Sequence, residues 1–406
     1  MAIIFPFKAV RPKPEFAAEV ASPPYDVLSS EEARASAKSA PNSFLHVTKS
    51  EIDMPADLSI YDPAVYAKAK DNLVAMMGKG ILFEEDQPCY YIYELIMDGR
   101  SQTGLVCCSS VDDYEAGIIK KHEFTRPEKE QDRINHIRIS GAQTGNVFLA
   151  YRNVSSLDQL IKNWKSSHEA MYNFNAEDGI AHRIWVVNQK DTVDLISEIF
   201  KKEVPCTYIA DGHHRAASAA KVRDTPGAGP EADKFLTTLF PAAELKIMPY
   251  NRVVKDLNGL DEDEFISALQ DDFMISTSDA PVDPSSLHDF GMYINHQWYH
   301  LTAVEGTYTT DPIGILDISI FSSNVLEKIL DIKDQRTDKR IDFVGGIRGL
   351  KELEKRVDSG EMKIAFSFYP VSIEQLFNIA DSGNVMPPKS TWFEPKLRDG
   401  LLTHLI

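Results

Sequence analysis

The sequence predicts a mixed α+β protein of two or three domains, and three observations carry that prediction. Short β-rich runs alternate with stretches of helical period along most of the chain. Loops rich in glycine and proline punctuate it, most clearly at Pro226-Gly227-Ala228-Gly229-Pro230 and again between Asp279 and Ser286. The 406 residues are too many for one ordinary core and too few for four.

The first segment, residues 1–115, reads as an N-terminal α+β domain. It opens on prolines, in Arg11-Pro12-Lys13-Pro14 and Ser22-Pro23-Pro24-Tyr25-Asp26. Helices are expected at about 30–40 and 63–79, then strands at Tyr90–Tyr93 and Gly104–Cys108. The second segment, 116–300, begins at Gly117-Ile118-Ile119-Lys120-Lys121-His122-Glu123 and continues into a charged helix from Arg126 to Ile139. Strands are expected at 146–151, 183–187 and 206–210, with a helix at about 191–202 before the last of them. The third, 301–406, alternates helix (320–330), strand (341–344), helix (348–358), strand (362–368) and helix (373–381), a small α/β domain.

Charge narrows the function. Forty-three basic residues face 61 acidic ones, a net charge of −18 spread along the chain. A field of that sign repels polyanions, so nucleic acid and anionic membrane surfaces are not expected partners. The amino terminus, Met1-Ala2-Ile3-Ile4-Phe5-Pro6-Phe7, has no cationic stretch leading into a long apolar one, and no run reaches the ~18 apolar residues of a membrane span. A cytoplasmic location is expected. Cys89, Cys107, Cys108 and Cys206 lack metal-ligand spacing and read as reduced thiols.

The chemistry gathers at Ala210-Asp211-Gly212-His213-His214-Arg215-Ala216-Ala217. A strand ends, Gly212 permits a tight turn, and a helix of small residues begins with its free N–H groups and positive dipole end facing the turn. Arg215 supplies a fork suited to two phosphate oxygens, and His213 and His214 add donors that bind phosphate or balance its charge. Ordinary structural roles also fit each residue: Asp211 as an N-cap, one histidine buried, Arg215 on a carboxylate. Asp26 reads mainly as a turn residue, Arg252 as half of a surface salt bridge, and His182 as a satisfied core histidine.

Three ordered motifs resemble the free L-serine kinases of the ParB/sulfiredoxin superfamily. Asp211-Gly212-His213-His214-Arg215 resembles their DGHHR signature, which a large bacterial and archaeal family shares. His122-Glu123 resembles their His-Glu pair, and Met386-Pro387-Pro388-Lys389-Ser390-Thr391 their closing segment. The run Lys389 to Leu397 and the opening Ser22-Pro23-Pro24-Tyr25-Asp26-Val27 are similar to that larger family. The chain departs from the compact kinases in its first 115 residues and in the 88 positions that separate Glu123 from Asp211. Sulfiredoxin's catalytic cysteine has no equivalent, since His213 stands in that turn.

The resemblance implies a ParB/sulfiredoxin-like catalytic domain and a nucleotide-dependent kinase for a small hydroxylated metabolite, free L-serine first among acceptors. ATP or ADP with Mg²⁺ is the implied donor, with Asp211 a direct or water-mediated ligand of the ion. The implied catalytic residues are Glu123, as base, and His122. Asp211, Gly212, His213, His214 and Arg215 would hold the nucleotide phosphates, and Lys389, Ser390 and Thr391 the substrate. Two other functions fit the same residues: a nucleotide-binding switch module, and a metal-dependent phosphohydrolase with His213, His214 and Asp211 as ligands.

Overall fold

The longest strand, Arg100–Ser110, sets the layout through its partners. It pairs antiparallel with Tyr90–Met97 on one side and Lys234–Pro241 on the other. The carboxy terminus also returns: Thr403–Leu405 pairs with Ala9–Pro12 and with Ala142–Gln143, and Ser22 and Asp399 exchange backbone hydrogen bonds of 3.1 and 2.9 Å. The computed structural model describes residues 1–406 and divides into two units, Met1–Leu245 with Pro395–Ile406, and Lys246–Glu394. The boundaries expected at 115 and 300 do not coincide with these units. The first falls inside ladders that join residues 90–110 to residues 181–241, and the second falls within the strand Gln297–Ala303. Hydrophobic period locates elements along the chain but is silent on which distant strands pair.

The first unit is built on a nine-stranded mixed sheet. In spatial order it runs Ile119–Lys120, Thr207–Asp211, Val147–Tyr151, Lys234–Pro241, Arg100–Ser110, Tyr90–Met97, Ala181–Val187 and Tyr172–Asn175, with Ile4–Phe5 also on Arg100–Ser110. Two pairs are parallel, Ile119–Lys120 with Thr207–Asp211 and Val147–Tyr151 with Lys234–Pro241. The central strands are buried on both faces, which is why they read as continuous apolar runs. Cys107 and Cys108 are buried there, and all four cysteines are unpaired. A small four-stranded sheet joins Leu82–Glu84, Ala9–Pro12, Thr403–Leu405 and Ala142–Gln143.

Helix His213–Arg223 packs on helix Pro127–Ser140. Ala216, Ala217, Ser218, Ala219 and Ala220 are all buried, and their short side chains let the two backbones approach. Ser218 Oγ uses that proximity to donate to Glu130 O at 3.0 Å. The second unit carries a six-stranded antiparallel sheet, in the order Phe273–Ser278, Gln297–Ala303, Asp289–Ile294, Ile364–Phe368, Tyr250–Val254, Ile341–Gly345. The helix expected at 320–330 starts earlier, as Asp317–Phe321, and continues as a π-helical segment, Ser322–Glu327. No helix of the protein is long and apolar enough to cross a membrane.

Candidate functional site

Two neighbouring parallel strands end at the site. Ile119 pairs with Thr207 and Lys120 with Tyr208, so Glu123 and Asp211, each four residues beyond the first pair, emerge from the same edge of the sheet. This register joins two motifs that lie 88 positions apart in sequence. The other neighbour of Thr207–Asp211 shapes it further. Ile209 faces Leu149 but Asp211 faces Phe148, so a bulge at Ala210 re-aims the end of the strand just before the turn.

Gly212 then turns the chain with φ +94° and ψ 30°, in the left-handed region. A Cβ here would stand 3.4 Å from Val147 Cα. Gly212→Ala is therefore expected to cost about 1–2 kcal/mol of stability from backbone strain. Urea denaturation checks this, and an unchanged midpoint would contradict the turn geometry.

Gly212, not Asp211, holds the N-cap position of the helix His213–Arg223, and a glycine has no side chain with which to cap it. Asp211 instead accepts from Lys396 Nζ at 2.8 Å. Asp211 thus stands one residue before the N-cap position and is ion-paired with the closing segment.

His213 and His122 are 5% and 3% exposed, and their rings meet edge to face with centroids 4.6 Å apart. His213 Nε2 and His122 Nδ1 are buried with no hydrogen-bond partner. Burial lowers the pKa of His122 to about 4, against a smaller opposing effect from Asp211, and drives that of His213 down in the same way. Both imidazoles are therefore neutral at pH 7. They offer donors and acceptors to a phosphate, not the charge expected of His213.

Glu123 Oε2 lies 3.7 Å from His213 Nδ1, too far for a hydrogen bond and, with His213 neutral, not an ion pair. His214 Nε2 accepts from the backbone N–H of Arg126 at 2.9 Å, which fastens the loop after Glu123 to the turn.

The neutral pair predicts a pH response. Each folded pKa lies below the unfolded value of about 6.5, so the stability linked to neutrality is complete above that pH and lost as pH falls through about 4. His122→Asn should flatten the denaturation midpoint between pH 6.5 and 4 relative to the parent. An equally steep decline in the variant would contradict the assignment.

Arg215 is committed within the protein. Nη1 donates to Asn146 O at 2.7 Å and Nη2 to Asp26 Oδ1 at 3.0 Å, while Nε is buried without a partner. Its pKa is raised: Asp26 and Asp399 outweigh the cost of burial. Asp26, expected mainly as a turn residue, therefore holds the motif arginine, and the Tyr25 ring meets both Arg133 and Arg215, whose Cζ atoms lie 4.0 and 5.2 Å from its centroid.

Asp399 completes the group. It is fully buried, its Oδ2 has no partner, and burial pushes its pKa up to about 7 although Arg215 pulls it down. A cleft of about 400 Å³, including its open mouth, is lined by Tyr25, Arg133, Thr144, Gly145 and Arg215. Sequence reasoning gave no role to Lys396, Asp399 or Arg133. The available signal for the first two was the charged run Lys396-Leu397-Arg398-Asp399 beside apolar Leu401-Leu402.

Lys389, Ser390 and Thr391 belong to the second unit. Lys389 has φ +58° with Nζ 5.6 Å from the Tyr250 ring centroid, Ser390 Oγ donates to Pro387 O at 2.6 Å, and Thr391 is half-buried. Arg252, expected in a surface salt bridge, is buried with no carboxylate partner, because its strand lies inside the six-stranded sheet. His182 is the satisfied core histidine expected, with Nδ1 2.8 Å from Tyr93 OH. His213, His214 and Asp211 form no three-ligand group, and no cluster of three His, Cys, Asp or Glu suited to a metal exists among the described residues.

These features define a mixed α+β protein with a strand–turn–helix motif flanked by buried neutral histidines and carboxylates. The chain belongs to the family described as protein of unknown function DUF1015, whose profile matches residues 4–319. No curated protein matches the chain. Among solved structures it is similar to a conserved hypothetical protein from Pyrococcus furiosus, at 15% identity and TM-score 0.38, over 74% of this chain and 95% of that one. It is likewise similar to a variant of free serine kinase in complex with AMP, at 13% identity and TM-score 0.38, over 75% and 95%. A third is C-terminally truncated SbnI from Staphylococcus aureus, at 11% identity and TM-score 0.34, over 74% and 87%.

Proposed function

We propose that the first unit is a nucleotide-dependent kinase site acting on a small hydroxylated metabolite. One observation carries the reading: the helix that starts after left-handed Gly212 has two buried imidazoles with unpartnered nitrogens at its beginning, with Glu123 and Asp211 at the same end of the sheet. A helix N-terminus favours phosphate, and each neutral imidazole keeps one N–H with which to donate to it.

In the reaction the acceptor hydroxyl oxygen attacks the terminal phosphorus, its proton passes to Glu123, and the bond to the departing nucleotide phosphate breaks. His122 and His213 hold the phosphoryl oxygens, and Lys396 offsets part of their charge. Arg215 holds the turn through Asn146 and exchanges exposed Asp26 for a phosphate oxygen when nucleotide arrives.

The residues fit Mg²⁺ only together with the nucleotide, because Asp211 and Glu123 alone cannot fill six positions. When bound, the ion neutralises charge on the transferred phosphoryl group. The four unpaired thiols suit a cytoplasmic setting. The test is phosphorus NMR of the full chain with ATP or ADP, Mg²⁺ and L-serine, followed by other small alcohols. The reading expects a phosphate ester that Glu123→Gln does not form, and nucleotide left intact with every acceptor overturns it.

A further inference from the structure

The second unit holds two buried charged groups that its own residues leave unmatched. Arg252, within the strand Tyr250–Val254, is 1% exposed. Its Nη1 donates to Tyr250 O and its Nη2 to Pro388 O at 3.1 Å, while Nε has no partner. Phe343, Phe368 and Tyr250 surround the guanidinium with ring centroids 5.1 to 5.9 Å from Cζ. Aromatic faces soften the burial of a cation but do not replace an anion.

Asp317 is 4% exposed, accepts from the His288 backbone N–H at 2.8 Å through Oδ1, and leaves Oδ2 without a partner. Burial lowers the pKa of Arg252 to about 9 and raises that of Asp317 to about 7. The two do not pair with each other, yet both line one recess, together with Ser390, Gln375 and Tyr369. Buried charge without a counter-charge is costly to a fold, and a binding site tolerates it because the ligand brings what is missing.

The geometry points to this recess as a receptor for a small carboxylate metabolite of the amino-acid or hydroxy-acid class. Its carboxylate meets Nε of Arg252, and its amino or hydroxyl group donates to Oδ2 of Asp317. The recess encloses about 330 Å³ including its open mouth, and its walls leave free room for little more than one water-sized group. So small a space favours a compact monocarboxylate, and a dianion would be repelled by Asp317. The assignment does not rest on the kinase reading, since it needs neither nucleotide nor turnover.

The test follows the Arg252 Nε–Hε resonance of the full chain by NMR without nucleotide, assigned by its loss in Arg252→Lys. Glycine, acetate, inorganic phosphate and chloride are titrated separately. Glycine and acetate should move the resonance saturably, glycine binding roughly tenfold tighter because its ammonium reaches Asp317. In Asp317→Asn that difference should disappear. If Arg252→Lys does not fold, acetate protection of wild type against thermal unfolding, read with and without glycine in Asp317→Asn, serves the same purpose. A resonance or melting temperature that glycine and acetate leave unmoved, or that chloride moves equally, overturns the proposal.

Discussion

Glu123→Gln is expected to lower phosphoryl transfer by about 10²- to 10⁴-fold, the usual contribution of a positioned general base. Nucleotide affinity should change little. Glutamine keeps the length and polarity of the side chain and removes only the proton-accepting charge. Because His213 beside it is neutral, the substitution breaks no ion pair at that contact. Steady-state turnover and calorimetric nucleotide binding, measured on the same preparation, separate the two effects. A variant with parental turnover would remove Glu123 from the chemistry.

Arg215→Ala should cost about 3–5 kcal/mol of folding stability, the penalty for removing one partner from a buried charged group. Little of this comes from Asp26, whose side chain is 45% exposed and screened by solvent. Most comes from Asn146 O, which loses a donor, and from Asp399, which loses its neighbouring cation.

The pH dependence carries a definite sign. The folded pKa of Asp399, about 7, lies above its unfolded value, so its contribution favours the fold at low pH and is lost as pH rises through about 7. Without Arg215 that pKa rises further, and the deficit of Arg215→Ala should be larger at pH 8 than at pH 5. Adding Asp399→Asn should recover part of it at pH 8. Urea midpoints at the two pH values check this, and a deficit independent of pH would contradict the arrangement.

Local signals made much of the site legible. Gly212 announced a tight turn, the alanines after Arg215 announced a closely packed helix, and a left-handed glycine followed by buried small residues is what stands there. His122-Glu123 could be named as a motif, but its approach to Asp211 depends on parallel pairing of Ile119 with Thr207, which no local pattern encodes. The same limit hid Lys396 and Asp399. They reach the turn because Thr403–Leu405 closes a small sheet with Ala9–Pro12, a contact across nearly the whole chain.

Charge states were also out of sight. Two adjacent histidines in sequence suggest positive charge, and only burial shows that His213 is neutral. Arg252 was misread for a related reason: a charged residue in a strand is usually at the surface, and its burial follows from a sheet whose order is set by pairing.

The account rests on the turn at Gly212 as the place where nucleotide phosphates bind. The most direct measurement is the amide spectrum of the full chain during titration with ATP and Mg²⁺. The account predicts saturable shifts at the amides of His213, His214 and Arg215 at the start of the helix. Binding that leaves those amides unmoved, or no binding at all, would contradict it.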